Sequence, residues 1–259
     1  MKPRALILFA QGTNRDGDAA HALELAGGQA QVIPLKTLRE QKIAWSDYQM
    51  LVLPGGFSYA DALGAGKLLA LDLSHYFLDE VQSFVSAGKP VIGICNGFQA
   101  LIKSGILPDS RAANEPAWAT LTYNQGNHFE CRWVSLEPRS QKCLWTRGLT
   151  QTIDCPVAHG EGNFRVSDPA RAKKLLDNDQ VALVYTHPDG EPADGIYPAN
   201  PNGSILDIAG ICNAQGNVLG LMPHPEDHVY PFQTPDRIHR PGHFGLPLFI
   251  NGVRHAADC

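Results

Sequence analysis

Residues 89–105 read KPVIGICNGFQALIKSG, and the passage from strand to helix inside this stretch decides the fold. PVIGI (90–94) is a short apolar run, the pattern of a strand covered on both faces, and NGFQALIKSG (96–105) reads as the helix that follows it. Cys95 stands at the junction, with Gly93 and Gly97 two residues away on either side. A tight strand-to-helix turn lifts a side chain clear of the sheet, and flanking glycines leave room for close backbone approach. The helix also aims its unpaired N–H groups and the positive end of its dipole at the sulfur, which favours thiolate. An ordinary thiol, with a pKa of about 8.5, is only a few per cent ionised at pH 7, and lowering that pKa by about 1.5 units takes roughly 2 kcal/mol. A helix terminus supplies part of this, and a nearby imidazolium would supply the rest. Taken alone, the elbow leaves two readings open: a nucleophile, or a small core residue at a helix start.

Outward from this point the same alternation recurs. RALILFA (4–10) reads as a strand, DAAHALELAG (18–27) as a helix ending at Gly27, and AQVIPL (30–35) as a second strand, making one βαβ unit. YQMLVLP (48–54) is strand-like, and KLLALDLSHYFLDEVQSFVSAG (67–88) reads as one long helix stopped by Gly88. Such alternation predicts a parallel sheet with helices on both faces. The middle changes character, because ATLTYNQGNHFECRWVSLEP (119–138) places Phe129, Cys131 and Trp133 on one alternating face around a Gly-Asn turn, the pattern of an antiparallel hairpin. PARAKKLLDN (169–178) then reads as a helix, VALVYT (181–186) as a strand, and IAGICNAQGNVLGLMP (208–223) as two strands joined by NAQGN. THPDGEPADGIYPANPNGS (186–204) is the longest polar loop. The expected fold class is α/β, an open mostly parallel sheet flanked by helices with an added antiparallel hairpin region, in a single domain over residues 1–259.

Composition narrows the function. A 44% hydrophobic, 18% charged chain with net charge −5 is globular and poorly suited to a phosphate backbone, so no nucleic acid is expected as a partner. No run approaches the roughly 20 apolar residues that span a bilayer, so no membrane association is expected and the protein is placed in the cytoplasm. The cysteines, Cys95, Cys131, Cys143, Cys155, Cys212 and Cys259, form no C-x-x-C pair, which suggests neither a zinc clip nor a disulfide framework. HPEDH (224–228) and HRPGH (239–243) space histidines four apart, but the proline inside each argues against a helical metal site, and no metal is expected.

A nucleophile needs a base, and LGLMPHPEDH (219–228) offers the best one. His224 and Glu226 follow an apolar segment, which puts them at a strand's end, and side chains two apart in extended chain share a face. Pro225 biases His224 towards extended geometry. Glu226 would hold the imidazole tautomer while His224 takes the thiol proton. An electrophilic element comes from LVLPGGFSYAD (51–61), where Pro54-Gly55-Gly56 ends a strand. The amide of Gly56 together with that of Asn96, just after the nucleophile, would make an oxyanion hole, each donor worth about 3 kcal/mol.

PGG, then G-x-C-x-G-x-Q, then H-P-E, in this order, resemble the class I (triad) glutamine amidotransferases. LPGGFSYAD, GICNGFQAL, AHGEGNF (158–164), YPANPNGS (197–204) and GLMPHPE (220–226) together resemble the glutaminase subunits of phosphoribosylformylglycinamidine synthases within that class. The resemblance implies a flavodoxin-like fold and hydrolysis of L-glutamine to glutamate and ammonia through a thioester on Cys95, with His224 and Glu226 completing the triad. Ammonia would pass to a separate synthetase subunit, with a small bridging subunit as a further candidate partner. The synthetase subunit would convert formylglycinamide ribonucleotide to its amidine in purine biosynthesis, using ATP and Mg. No cofactor is expected in this chain, which has no G-x-x-x-x-G-K-[ST] motif. Only the resemblance points to Gln99, His159, Gly160 and Glu161 as the lining of the glutamine pocket; on periodicity Gln99 is an ordinary helix residue and His159 a loop residue. Two positions depart from the family's usual pattern, Ala60 in place of glycine and Asp227 in place of arginine. Two alternatives stay open: a glutaminase serving a different synthetase, and a non-catalytic regulatory subunit. The proline-rich stretch 228–245 matches no recognisable pattern.

Overall fold

Apolar runs with little polar interruption become central strands, because only a strand covered on both faces can bury every side chain. The computed structural model describes residues 2–41, 43–109, 116–235 and 243–259. In chain order the elements are β1 (Arg4–Phe9), α1 (Asp16–Leu25), β2 (Gln29–Pro34), α2 (Leu35–Glu40), β3 (Met50–Leu53), α3 (Lys67–Tyr76), α4 (Leu78–Ser86), β4 (Val91–Ile94) and α5 (Asn96–Lys103). There follow β5 (Ala119–Thr122), β6 (Glu130–Pro138), β7 (Ile153–His159), β8 (Asn163–Val166), α6 (Pro169–Asp177), β9 (Val181–Thr186), β10 (Ile208–Cys212), β11 (Val218–Leu221) and α7 (Leu246–Ala257). None of the described helices is long and apolar enough to cross a membrane.

Among the described residues, one nine-stranded sheet runs in the order β2-β1-β3-β4-β11-β10-β9-β6-β7, and β5 pairs with β8 in a second, two-stranded sheet. The first five strands are mutually parallel. From β11 onward each neighbour is antiparallel, so the antiparallel region continues the main sheet rather than hanging from it. β3, β4 and β11 are buried along their whole length. α5 is buried from Asn96 to Ile102 and packs so close to β3 that a Cβ on Gly97 would lie 1.9 Å from the Leu53 carbonyl oxygen. Glycine at 97 is therefore what lets the helix meet the sheet at backbone distance.

Two expectations are corrected. Residues 67–88 form two helices, α3 and α4, because the chain breaks at Phe77 (φ −133°, ψ 14°), whose ring turns into the core 5.7 Å from Trp45. Burying a phenyl ring is worth about 1.5–3 kcal/mol, more than the ~1 kcal/mol net of one helical hydrogen bond. Residues 119–138 form no hairpin either: β5 pairs with β8, while β6 lies between β7 and β9. The Asn124 side chain diverts the chain between the two sheets by donating to the carbonyls of His128 and His159. Phe129 consequently lies outside the strand and stacks on Phe57, Cys131 is exposed, and Trp133 packs against His228.

In the stretch 228–245, Gly245 donates its amide to the His228 carbonyl and His243 accepts from Asp154 N. His239 of the HRPGH pair lies outside the described residues.

Candidate active site

Cys95 sits between β4 and α5 at φ 50°, ψ −104°, a conformation disfavoured for any residue with a Cβ and held here by the hydrogen bond its N–H donates to Leu221 O at 2.8 Å. The elbow read from the sequence is thus present in strained form. Cys95 is 5% exposed, its sulfur 3.8 Å from the carbonyl of Ala158 on β7. β11 runs parallel to β4 and ends beside it, which brings the segment after β11 to the same end of the sheet. There a short turn over Pro225–Asp227 carries His224 and Glu226, with His224 Nδ1 2.8 Å from Glu226 Oε1 and both side chains buried. The backbone of His224 is fixed independently, its N–H donating to Pro156 O on β7 at 2.9 Å.

The electrostatics suit acid–base work. Burial pulls the His224 imidazole down, but the charge of Glu226 and the charge and hydrogen bond of Cys95 outweigh it and lift the pKa well above the ordinary value. The imidazolium so favoured is the partner that a thiolate needs. His159 goes the other way: burial, then the charge of His224, push it down to about 3, so it is neutral and no second base. Its tautomer follows from its neighbour. Asn124 uses its NH₂ on two carbonyls, leaving Oδ1 to accept from Gly162 N and from His159 Nδ1 at 3.1 Å.

The two glycines of Pro54-Gly55-Gly56 have separate reasons. A Cβ on Gly55 would come within 2.6 Å of His224 Cε1, and Gly56 at φ +142° would meet Asn14 N and Gly12 O below 3 Å. The Gly55 carbonyl accepts from Asn14 N (3.4 Å) and Arg15 N (3.3 Å). In a trans peptide the next N–H points the opposite way, so the Gly56 amide is turned from that turn towards the side where it lines a cavity with Cys95. Asn96 N, in the first turn of α5, has no intrahelical partner.

That cavity, about 170 Å³, is lined by Gly56, Cys95, Gln99, His159, Gly160 and Glu161, with the exposed rings of Phe57, Tyr123 and Phe129 beside them. Pockets for drug-sized ligands run from about 300 Å³, so this one fits something smaller. A larger cavity of about 510 Å³ lies near Trp133, Asp154 and Thr186, and none of the residues just named lines it; the candidate nucleophile lines the smaller one. The structure thus gathers all nine residues singled out in the sequence at one end of the sheet, with His224, Glu226 and Asn96 buried behind the lining. Two of the lining groups are partly committed. Gln99 Nε2 donates to Glu161 O at 2.8 Å, and the Glu161 carboxylate accepts from Ala65 N and pairs with Lys103 at 3.4 Å.

Sequence reasoning missed Asp61, which also lines the cavity, and Ser58, Asn124 and Lys103, which brace its walls. Ser58 and Asp61 stood inside the quoted LPGGFSYAD motif; Asn124 and Lys103 carried no local signal. Asp227 pairs at 3.6 Å with Arg15, the residue just before α1, so the acidic residue after H-P-E has a cation supplied from a distant segment. Among the described residues no cluster of three metal-binding side chains occurs.

Residues 2–256 match the CobB/CobQ-like glutamine amidotransferase domain. The chain is 57% identical over 241 residues to the phosphoribosylformylglycinamidine synthase subunit PurQ of Treponema denticola, covering 88% of this chain and 89% of that one. It is 38% identical to the subunit of the same name from Dehalococcoides mccartyi, covering 98% of each. A chain in the solved structure of PurLQS from Thermotoga maritima superposes with a TM-score of 0.74 at 32% identity, covering 98% of this chain and 99% of that one. With the domain matched along nearly its whole length, and with such relatives at this identity, the chain belongs to the PurQ family of glutamine amidotransferases.

Proposed function

We propose that this chain is the glutaminase subunit of a phosphoribosylformylglycinamidine synthase, acting as one domain in the cytoplasm on L-glutamine. The observation that carries the reading is a buried Cys95–His224–Glu226 chain beside a small cavity that Cys95 and Gly56 line. The Cys95 thiolate attacks the side-chain amide carbon, and the electron pair of the C=O bond moves onto oxygen. The amides of Gly56 and Asn96 donate to that oxyanion. His224, as imidazolium, gives its proton to the leaving nitrogen, the C–N bond breaks, and ammonia departs from a thioester. Water then attacks the thioester with His224 as base, releasing glutamate and restoring the thiol. Glu226 keeps the imidazole in the tautomer that both steps use.

Ammonia passes on this reading to a synthetase subunit that uses ATP and Mg to convert formylglycinamide ribonucleotide to its amidine, with a small bridging subunit as a further partner. The likeness to a chain of PurLQS supports that assembly. The test is to mix the chain with a synthetase subunit and follow amidine formation. Cys95→Ala should abolish synthesis from glutamine and leave synthesis from ammonium intact; loss of both would make Cys95 a structural residue.

A further inference from the structure

Asn96 is 2% exposed, and its side chain is fully engaged. Oδ1 accepts from the Ser58 backbone N–H at 3.2 Å and from the Ser58 hydroxyl, while Nδ2 donates to Asp61 Oδ1 at 2.9 Å and to Gln99 Oε1 at 3.1 Å. A primary amide offers two hydrogens and two lone pairs, so these four bonds exhaust it. Ser58 N can only donate, which settles which end of the amide is oxygen.

The position of this network matters. Gly56, which lines the cavity, lies on the turn leaving β3, and Asn96, buried just behind Cys95, opens α5 after β4, so the two candidate oxyanion donors belong to different elements. The β3–β4 ladder ends at Leu53 opposite Gly93 and sets no distance between them. The bonds from Ser58, two residues past Gly56, to Asn96 span that gap. Both sides of the tie are held in backbone conformations disfavoured for residues with a Cβ: Cys95 at φ 50°, and Tyr59, Ala60 and Asp61 at φ 56°, 55° and 51°. Such conformations persist only where surrounding contacts over-determine them.

We propose that the Asn96 side chain, keyed by Ser58 and Asp61, is the device that sets the separation of the two oxyanion donors. Ser58, which is outside the cavity lining, is then a positioning residue acting through Asn96, and Asp61 adds a second hold on Asn96 from the cavity wall. This rests on the glutaminase reading above. Removing the key leaves nucleophile and base in place but lets the donors drift, and the donors matter only once charge has developed on the substrate oxygen. The turnover number should fall while KM and thiol reactivity hold.

The experiment compares Ser58→Ala, Asn96→Ala and the double variant in the complex with the synthetase subunit, measuring kcat and KM for glutamine, Cys95 alkylation by iodoacetamide, and Tm. Ser140→Ala serves as a control, since that hydroxyl is equally buried but binds Asp179 O and Cys143 N in the antiparallel half. The expected kcat loss is about tenfold for Ser58→Ala and roughly 10²-fold for Asn96→Ala, the scale of a displaced oxyanion donor. Alkylation should stay within about twofold in every variant and KM within about twofold in Ser58→Ala, which leaves the Asn96–Gln99 bond intact, and the double variant should be no worse than Asn96→Ala, because Ser58 then has nothing left to hold. Ser140→Ala should lower Tm without lowering kcat. A folded Asn96→Ala with kcat within about twofold of wild type overturns the proposal, as does a kcat loss matched by an equal loss of alkylation, or losses that multiply in the double variant. Should Asn96→Ala fail to fold, Ser58→Ala decides by the same criteria. Failure of the glutaminase reading looks different, because the wild-type complex would then use ammonium but not glutamine.

Discussion

Gly55→Ala isolates the geometry between the Pro-Gly-Gly turn and the base. Gly55 is not in the left-handed region, so alanine meets no backbone penalty there and the perturbation is purely steric. The added Cβ would lie 2.6 Å from His224 Cε1, about 0.8 Å short of ordinary van der Waals contact, and Arg15 Cγ lies 3.5 Å away on another side. The imidazole is buried, bonded to Glu226 at 2.8 Å and anchored at its own amide by Pro156, so it can yield only by moving relative to Cys95. A misplacement of about 1 Å in a reacting group costs on the order of 10²-fold in rate, and overpacking a buried site costs about 1–3 kcal/mol of stability. Glutamine-dependent kcat should therefore fall about 30- to 100-fold, with ammonium-dependent synthesis by the same complex unchanged. The assay is steady-state amidine formation from each nitrogen source, with Tm as a check on folding. A kcat within about threefold of wild type in a folded variant would refute the reasoning, because it would mean that His224 has slack that the distances deny.

Other outcomes follow from groups near the same site. Burial, then the charge of Glu226, push Asp227 up to about 6, so the folded state binds its proton more tightly than the unfolded chain does and stability falls as pH rises from about 4 through 6. Asp227→Asn should remove that loss, raising stability by up to about 3 kcal/mol at pH 8 and having no effect near pH 4; a Tm difference independent of pH would contradict it. His159 is held neutral, its pKa lowered to about 3, so here the unfolded chain binds the proton more tightly and stability is lost as pH falls below about 6.5. Carbon-13 shifts of its ring should show no titration between pH 7 and pH 5. Ala60 sits at φ 55°, ψ 27°, where a Cβ costs about 1–2 kcal/mol and glycine's extra unfolded freedom returns about 0.5–1. Ala60→Gly should raise the urea midpoint by an amount equivalent to up to about 1 kcal/mol, and a lower midpoint would show that the methyl group packs favourably.

The grouping of Cys95 with His224 and Glu226 was legible although Cys95 and His224 lie far apart in sequence, because each signal was local: an apolar run ending in a chemically loaded turn. Parallel pairing of β4 with β11 then brings two such ends together, which is a property of the fold class and not of any spacing. Gln99 and His159 were illegible to periodicity for the opposite reason. Their place depends on the turn between β7 and β8 meeting α5, a contact between segments that no local pattern announces. The break at Phe77 and the partner of β5 were misread because long-range packing overrode a locally consistent helix and hairpin. Ser58, Asp61 and Asn124 lie outside the strands and α-helices, and nothing in the local sequence announces that they bond across elements.

β7 is the last strand of the main sheet, and it brings Pro156, at its middle, to the His224 amide and Ala158, near its end, to the Cys95 sulfur. The sheet therefore curls until its outer border touches its own middle, and the reaction centre lies along that seam. An unpaired border strand invites other chains to add to it, and a border folded back into the molecule is shielded from them. The same few contacts thus close the reaction site and keep the border from templating aggregates, so variants that loosen the seam should turn cloudy as they turn inactive.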